Sequence, residues 1–477
     1  MRAISNRSEF AIITLMFVLV TLWSLAFQAQ NNVNGYDGMF YVNMGQQLVQ
    51  GEPVTGPIPW IYRVGTPFLA ALLTPITRDL LVSFKWVNVG ASLLTTVLLW
   101  LYLRRHVDKV YARLVVMFLY LTQWHAPVRF AYFYPTSIDF WLMVFVLAAL
   151  LLSDEIRGGR TAKTPRTPRE DKEREEKTRA ELNHRDTESA EKIEVESTRE
   201  QFVLIGLLSV VIFVGVLFRE VVAVFGVTAL FIHNPIVFAT NPTFIQRLKL
   251  PHPLYFLPLV GAAAGVLVSH ALVTVNQTGY PYTFDGTVYL WLYDKRLMPY
   301  LLAWFVAFGP MLVLVLYNWR RSMAWLAQRQ DVVVFVLALV VLAWVGGTDT
   351  ERFLYWGMPI FYVLLGKALD DHAAWLRKSP LLLGVLFGTQ MLSQRFLLPT
   401  PDFNTIAQPQ IFPLLTVLGA DVEFEHLHTF YSTLNWQSLS FALTMQYFVL
   451  AAALLVWVSW RAGRYRTSNE QRAMSNE

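Results

Sequence analysis

The stretch "EFAIITLMFVLVTLWSLAFQ" (residues 9–28) carries one acid at its first position and no other charge. As a helix rising 1.5 Å per residue it covers about 30 Å, the thickness of a bilayer's hydrocarbon core. It has no small-residue cleavage site and is longer than the apolar part of a signal peptide, so it reads as a retained first membrane helix. Similar apolar runs recur near 80–103, 110–127, 137–153, 201–217, 221–234, 252–275, 299–318, 331–346, 353–367, 380–394 and 438–459. The chain is 55% hydrophobic, with a mean hydropathy of +0.40. The pattern predicts an all-α polytopic membrane protein with about 12 transmembrane helices (range ~10–13). Aromatic residues make up 14% of the chain, including 16 Trp, as expected for belts at the two interfaces.

Twelve crossings return both termini to one side, and basic residues choose which. With the N-terminus inside, 30 of the 39 Lys and Arg fall inside and 9 outside; without segment 154–200 the split is 18 to 9. The positive-inside rule then places both termini in the cytoplasm of a multi-pass protein of the cell (inner) membrane. The net charge of +5 reflects this orientation and not an affinity for nucleic acid.

Segment 154–200 has no aromatic and few aliphatic residues. It cannot bury enough apolar surface to form a core, and reads as a charged cytoplasmic linker between membrane halves 1–153 and 201–477. Two outer segments are long, 29–79 and 395–437. The first contains "YRVGTPFLAALLTP" (62–75), too short to span and bounded by prolines, which reads as an interfacial helix in the outer leaflet.

This topology gathers the acid–arginine clusters on the outer side. "NGYDGMFY" holds Asp37, "IYRVG" holds Arg63, "FRE" holds Arg219 and Glu220, and "TDTER" holds Asp349, Glu351 and Arg352. Ionised side chains at membrane ends are costly and often functional. An Asp between glycines also commonly shapes a turn by capping its own backbone, and Asp37 is open to that reading. Arg219–Glu220 reads either as a polar link between half-buried helices or as a phosphate-binding arginine with an acid that orients an arginine or a hydroxyl. Thr348 or Asp349 suits the N-cap of the helix that follows. Arg352 is unfavourable in that first turn unless it has an anionic partner or ligand. Arg63, Arg129 and Arg395 could join a phosphate clamp, because the guanidinium fork matches phosphate oxygens.

Other motifs point to less. Glu423, Glu425, His426 and His428 in "DVEFEHLHTF" read mainly as a solvated loop, and "NQTG" (276–279) is a glycosylation acceptor only in a secretory setting. With no cysteine, thiol nucleophiles, zinc–thiolate sites and disulfides are excluded. No phosphate-cradling glycine loop, GxSxG or HExxH is present, which leaves nucleotide-driven transport and serine or zinc hydrolysis unsupported.

At "YDGMFY" after the first helix and the following "YR…P" element, the chain resembles the GT-C superfamily of integral-membrane glycosyltransferases, closest to bacterial members that build cell-surface glycopolymers. The resemblance implies a GT-C-like fold, a polyprenyl-phosphate-linked sugar donor, a glycan or lipid acceptor, and contact with membrane lipid. It implies that Asp37 is the general base and that Arg63, Arg219 and Arg352 hold the lipid phosphate, with Glu220 and Asp349 beside them. The family's acidic pair in the first loop is not matched: Gly38 follows Asp37 and the next acid is Glu52. No cofactor is firmly implied, and a divalent metal stays open. The competing functions are a flippase for lipid-linked glycans, which would need charges deep within its spans, and a polysaccharide polymerase or ligase, which would rely on large outer loops.

Overall fold

The computed structural model describes residues 5–27, 37–123, 125–161, 185–233, 252–276, 284–295, 297–346, 350–394, 396 and 437–474. The architecture is α-helical. In chain order the helices are α1 (Asn6–Phe27), α2 (Gly38–Gln50), α3 (Gly65–Thr77), α4 (Leu80–His106), α5 (Val110–Thr122), α6 (Pro127–Phe133), α7 (Asp139–Thr161) and α8 (Arg185–Phe218). The second half continues with α9 (Val224–Thr228), α10 (Leu257–Ala271), α11 (Phe284–Asp294), α12 (Leu297–Phe308), α13 (Leu312–Tyr317), α14 (Trp319–Ala327) and α15 (Gln330–Val345). It closes with α16 (Thr350–Tyr355), α17 (Met358–Leu376), α18 (Pro380–Ser393) and α19 (Gln437–Met474). Two short parallel strands, β1 (Thr55–Gly56) and β2 (Thr274–Val275), pair Thr55 with Thr274 and Gly56 with Val275.

Among the described residues four helical stretches are long and apolar enough to cross a bilayer alone: Asn6–Ala26, Leu80–His106, Arg199–Phe218 and Pro253–Ala271. A fifth exists if Trp319–Ala327 and Gln330–Val345, bent by 114°, count as one span. Other apolar runs form shorter or interrupted helices. The run near 299–318 breaks at Gly309–Pro310, where Gly309 adopts φ 71°, a backbone that side-chain-bearing residues rarely take. The run near 380–394 is the 14-residue α18. Sequence runs therefore map onto helices without each being a full-length span.

The charged linker is helical at both edges. α7 runs on to Thr161 and α8 begins at Arg185, while residues 162–184 lie outside the described set. The stretch 62–75 overlaps the helix α3, which runs on to Thr77, and α2 is a helix that the apolar-run reading did not find.

Charge divides the bundle into two ends. At one end Arg113 donates two hydrogen bonds to Glu9, Nε–Oε1 2.7 Å and Nη2–Oε2 2.6 Å, joining the starts of α1 and α5. At the same end Asp154 on α7 accepts from His106 Nε2 at 2.7 Å and pairs with Arg157 and Arg329; Arg157 also grips Asp331. The opposite end holds the beginnings of α4, α7 and α16 and the end of α8. There the segment between α1 and α4 folds onto α4 through a small core of Tyr41, Met44, Val54, Ile61, Ala70, Phe84 and Ile138. A larger core, from Ile13 on α1 to Val458 on α19, fills the bundle.

Candidate functional site

Helix α2 delivers Asp37. Gly38, Tyr41, Met44 and Gly45 are buried along one face at helical spacing, and Asn43, Gln46 and Gln50 are exposed on the other. Gly51, in the left-handed region at φ 71°, ends the helix and donates its N–H to the carbonyls of Gln47 and Leu48. Asp37 occupies the N-cap position, but its side chain makes no capping hydrogen bond. The carboxylate is thus not used to hold the turn. Gly38 is required by contact: a Cβ there would lie 2.5 Å from Thr136 Oγ1 and 3.0 Å from the Tyr134 hydroxyl.

Beneath Asp37, Tyr41 is 1% exposed and accepts a hydrogen bond from Arg63 Nη1 at 3.2 Å. Burial pushes the Tyr41 hydroxyl up to about 12; Arg63 and Arg219 oppose the rise, and the negative Asp37 adds to it. One phenol therefore feels the acid on α2 and both arginines. Buried in this way, Tyr41 cannot be a sugar-stacking surface. Phe40, its half-buried neighbour, instead stacks on Trp60 with centroids 4.5 Å apart.

Arg63 follows a short 3₁₀ turn at Trp60–Tyr62. It grips Glu220 with both prongs of its fork, Nε–Oε2 2.9 Å and Nη2–Oε1 2.5 Å. Burial would raise the Glu220 carboxyl, but Arg63 and Arg219 override it and hold the group down at about 2. Because 49% of the Glu220 side chain stays exposed, against 8% for Arg63, the burial penalty on the acid is that of a partly wetted group.

Arg219 sits in an extended residue between α8 and the 3₁₀ turn Glu220–Ala223. Its Nη1 lies 3.1 Å from Asp139 Oδ1, and its guanidinium stacks 4.9 Å from the Trp356 ring. Arg352 Nε approaches the other Asp139 oxygen at 3.2 Å. The result is a row of alternating charge: Arg63, Glu220, Arg219, Asp139, Arg352. The sequence motifs supplied four of its five members. Asp139, the shared acid, was missed because one carboxylate ahead of "FWLMVFVLAALLL" resembles an ordinary helix start. Buried Asn88 on α4 fixes the preceding loop by donating to the carbonyls of Pro135 (2.6 Å) and Ser137 (2.9 Å). Lys295, also missed, is buried nearby and donates to Thr350 Oγ1 at 2.7 Å, at the start of the helix that carries Arg352.

Arg129 ties helix ends together. Its Nη1 donates to the carbonyls of Thr122 (2.8 Å) and Gln394 (2.7 Å), closing the C-terminal ends of α5 and α18. Asp349, Arg395, Glu423, Glu425, His426 and His428 lie outside the described residues. Among the described residues no three His, Asp or Glu side chains are grouped to hold a metal ion.

A large cavity opens on the row, and a smaller one lies along α2. The larger, about 940 Å³, is lined mainly by Val and Leu side chains of α8, α10 and α15, including Val216, Val266, Leu337 and Val341, and reaches Arg63, Arg219, Glu220 and Trp356. Tyr62 and His270 stack at its edge with centroids 3.8 Å apart. The smaller, about 350 Å³, lies along the exposed face of α2.

No family model matches the chain, and no curated protein matches it. Solved structures similar to it include ArnT from Cupriavidus metallidurans bound to undecaprenyl phosphate, at 13% identity over 93% of this chain and 76% of that one, with a TM-score of 0.46. Another is the oligosaccharyltransferase AglB from Archaeoglobus fulgidus in complex with an inhibitory peptide and a dolichol-phosphate, at 10% identity over 93% of this chain and 56% of that one, with a TM-score of 0.45. The chain thus spans little more than half the length of AglB. At such identities neither alignment assigns a role to a side chain here.

Proposed function

We propose that this protein is an inverting glycosyltransferase that moves a sugar from a polyprenyl-phosphate donor to a glycan or lipid acceptor at the outer face of the cell membrane. The observation that carries this reading is the larger cavity. It is an apolar trough among membrane helices that ends on Arg63, Arg219 and Glu220. A long apolar chain with an anionic head suits such a space, and a neutral lipid or a free sugar phosphate would each leave half of it unmatched. In this reading the chain crosses the membrane about twelve times, with segment 154–200 a cytoplasmic linker between halves 1–153 and 201–477.

Each side chain then has a task. The apolar walls take the polyprenyl tail. Arg219 and Arg352 face the phosphate, Arg63 is held ready by Glu220 and Tyr41, and Asp349 is assigned to donor binding from its motif alone. Asp37, with its carboxylate uncommitted to the backbone, accepts the proton of an acceptor hydroxyl as that oxygen bonds to the anomeric carbon. The bond from the anomeric carbon to the phosphate oxygen breaks, and its electron pair leaves with the polyprenyl phosphate. Arginines stabilise the charge that grows on that oxygen, and the proton passes from Asp37 to water. A single displacement inverts the anomeric centre.

Asp37→Asn tests this directly. It keeps the size and turn geometry but removes the proton acceptor, and should lower transfer by roughly 10²–10⁴-fold with polyprenyl-phosphate binding retained. Near-wild-type transfer by the purified variant would rule out Asp37 as the base.

A further inference from the structure

The smaller cavity differs in chemistry from the charged row. Among the described residues its lining carries no ionisable side chain. Five amides line it, from Asn43, Gln46, Gln47 and Gln50 on α2 and from Asn276 just after β2, while Phe40 and Met44 supply apolar contact. We propose that this cleft binds an uncharged oligosaccharide, the glycan portion of the acceptor. The proposal rests on the glycosyl-transfer reading only in taking that glycan to be the acceptor.

Amide side chains both donate and accept, as a sugar hydroxyl does. A wall of amides therefore matches a polyol better than it matches an anion, a cation or an apolar chain. Ligand sites combine apolar contact with a few placed polar groups, and here the apolar part can meet the C–H faces of a sugar ring. The volume of about 350 Å³ lies at the small end of the usual range for ligand sites, roughly 300–1,000 Å³.

The cleft is a built structure. Gln47 turns inward from the same helix, accepting from the Thr55 N–H at 2.9 Å and donating to Thr55 Oγ1 at 3.0 Å. This ties β1 to α2. The parallel pairing of β1 with β2 then carries residue 276 to the site, where its N–H donates to the Gly56 carbonyl at 2.8 Å. Three segments distant in sequence are thus fastened around one neutral opening.

Its position gives it a direction. Asp37, Phe40, Asn43, Gln47 and Gln50 follow one another at steps of three and four residues, so they lie along one side of α2. From Asp37 to Gln50 the helix rises about 20 Å. A glycan in the cleft would present its end near Asp37, with the remainder extending away from the arginines and the lipid trough.

The test uses the full-length protein in nanodiscs and labelled neutral oligosaccharides: malto-, cello-, manno-, xylo- and arabino-oligosaccharides, with oligogalacturonates as the charged comparison. Binding of at least one neutral series is expected, tighter than any oligogalacturonate. The double variant Asn43→Ala with Gln50→Ala should weaken it at least tenfold without altering undecaprenyl-phosphate affinity. Both side chains are exposed, so unchanged lipid binding also verifies the fold. Absence of binding by every neutral series, or neutral binding that the double variant leaves untouched, overturns the proposal. Cleft binding without transfer from any lipid-linked donor would support the glycan site while the glycosyl-transfer reading fails.

Discussion

Asp139 is the acid on which two arginines converge, and Asp139→Asn separates a structural ion row from a phosphate site. Arg219 and Arg352 approach its two oxygens at 3.1 and 3.2 Å, and the three side chains keep only 4%, 14% and 11% of their surface. At an effective dielectric constant of 20, each pair with charge centres ~4 Å apart attracts by about 4 kcal/mol. Desolvation offsets much of that attraction in the intact protein. Removing the shared acid nevertheless leaves guanidinium groups buried without their carboxylate, which typically costs about 3–5 kcal/mol. Purified Asp139→Asn should therefore unfold several degrees below wild type at a fixed heating rate. If the row receives a lipid phosphate, added undecaprenyl phosphate should restore more stability to the variant than it adds to wild type, because the ligand supplies the missing anion. An unchanged unfolding temperature would refute the energetic role given to Asp139. A lowered temperature that the lipid does not raise would refute the phosphate role of Arg219 and Arg352.

Arg63→Lys keeps the charge but cannot hold Glu220 with two parallel bonds; losing one charged hydrogen bond, about 1.5–3 kcal/mol, should weaken lipid-phosphate binding by roughly tenfold or more in a titration. Gly38→Ala puts a methyl group where only 2.5 Å separates it from Thr136 Oγ1, so the start of α2 or the loop leading to Asp139 must move. A stability loss of about 1–3 kcal/mol, read as a lower unfolding temperature together with reduced transfer, is expected. The Glu220 carboxyl, depressed from 4.5 to about 2, contributes its stability fully above about pH 4.5 and loses it as the pH falls through the folded value. The bare shift corresponds to ~3 kcal/mol, and about 1–2 kcal/mol remains after allowing for a side chain that is half exposed. The difference in unfolding temperature between wild type and Glu220→Gln should stay flat from pH 7 to 5 and narrow below; narrowing already between pH 7 and 5.5 would contradict the depressed value.

Membrane helices were legible in the sequence because the bilayer demands long apolar runs, and residues 9–28 announce α1 without any tertiary context. The acid–arginine motifs were visible for the same reason, since charge at the end of an apolar run stands out. Their pairing was not. Arg63 and Glu220 are 157 positions apart, and nothing local in "IYRVG" or "FRE" says that one completes the other. Helix α2 was hidden by its own surface, because "NMGQQLVQG" has a narrow apolar stripe broken by glycine and amides and looks like loop. Arg129 shows a contact that its motif does not announce: its Nη1 donates to helix carbonyls left open at the ends of α5 and α18.

The arrangement of charge bears on whether the protein transfers or translocates. Helix α7 starts with Asp139, in the row with Arg219 and Arg352, and reaches Asp154, in the network with His106, Arg157 and Arg329. Between these two acids lie only apolar residues and Ser153, over a helical rise of about 22 Å. A protein that carries a charged headgroup across the membrane needs polar groups along its route, because an ion in hydrocarbon is costly. On α7 the ionised side chains sit at the two ends, each locked to partners from other helices. The larger cavity likewise meets charge at one place among the described residues, where it reaches Arg63, Arg219 and Glu220. A headgroup held there has arginines to receive its phosphate and Asp37 on the adjoining helix to receive a proton. This geometry favours chemistry at a fixed depth over passage through the bundle.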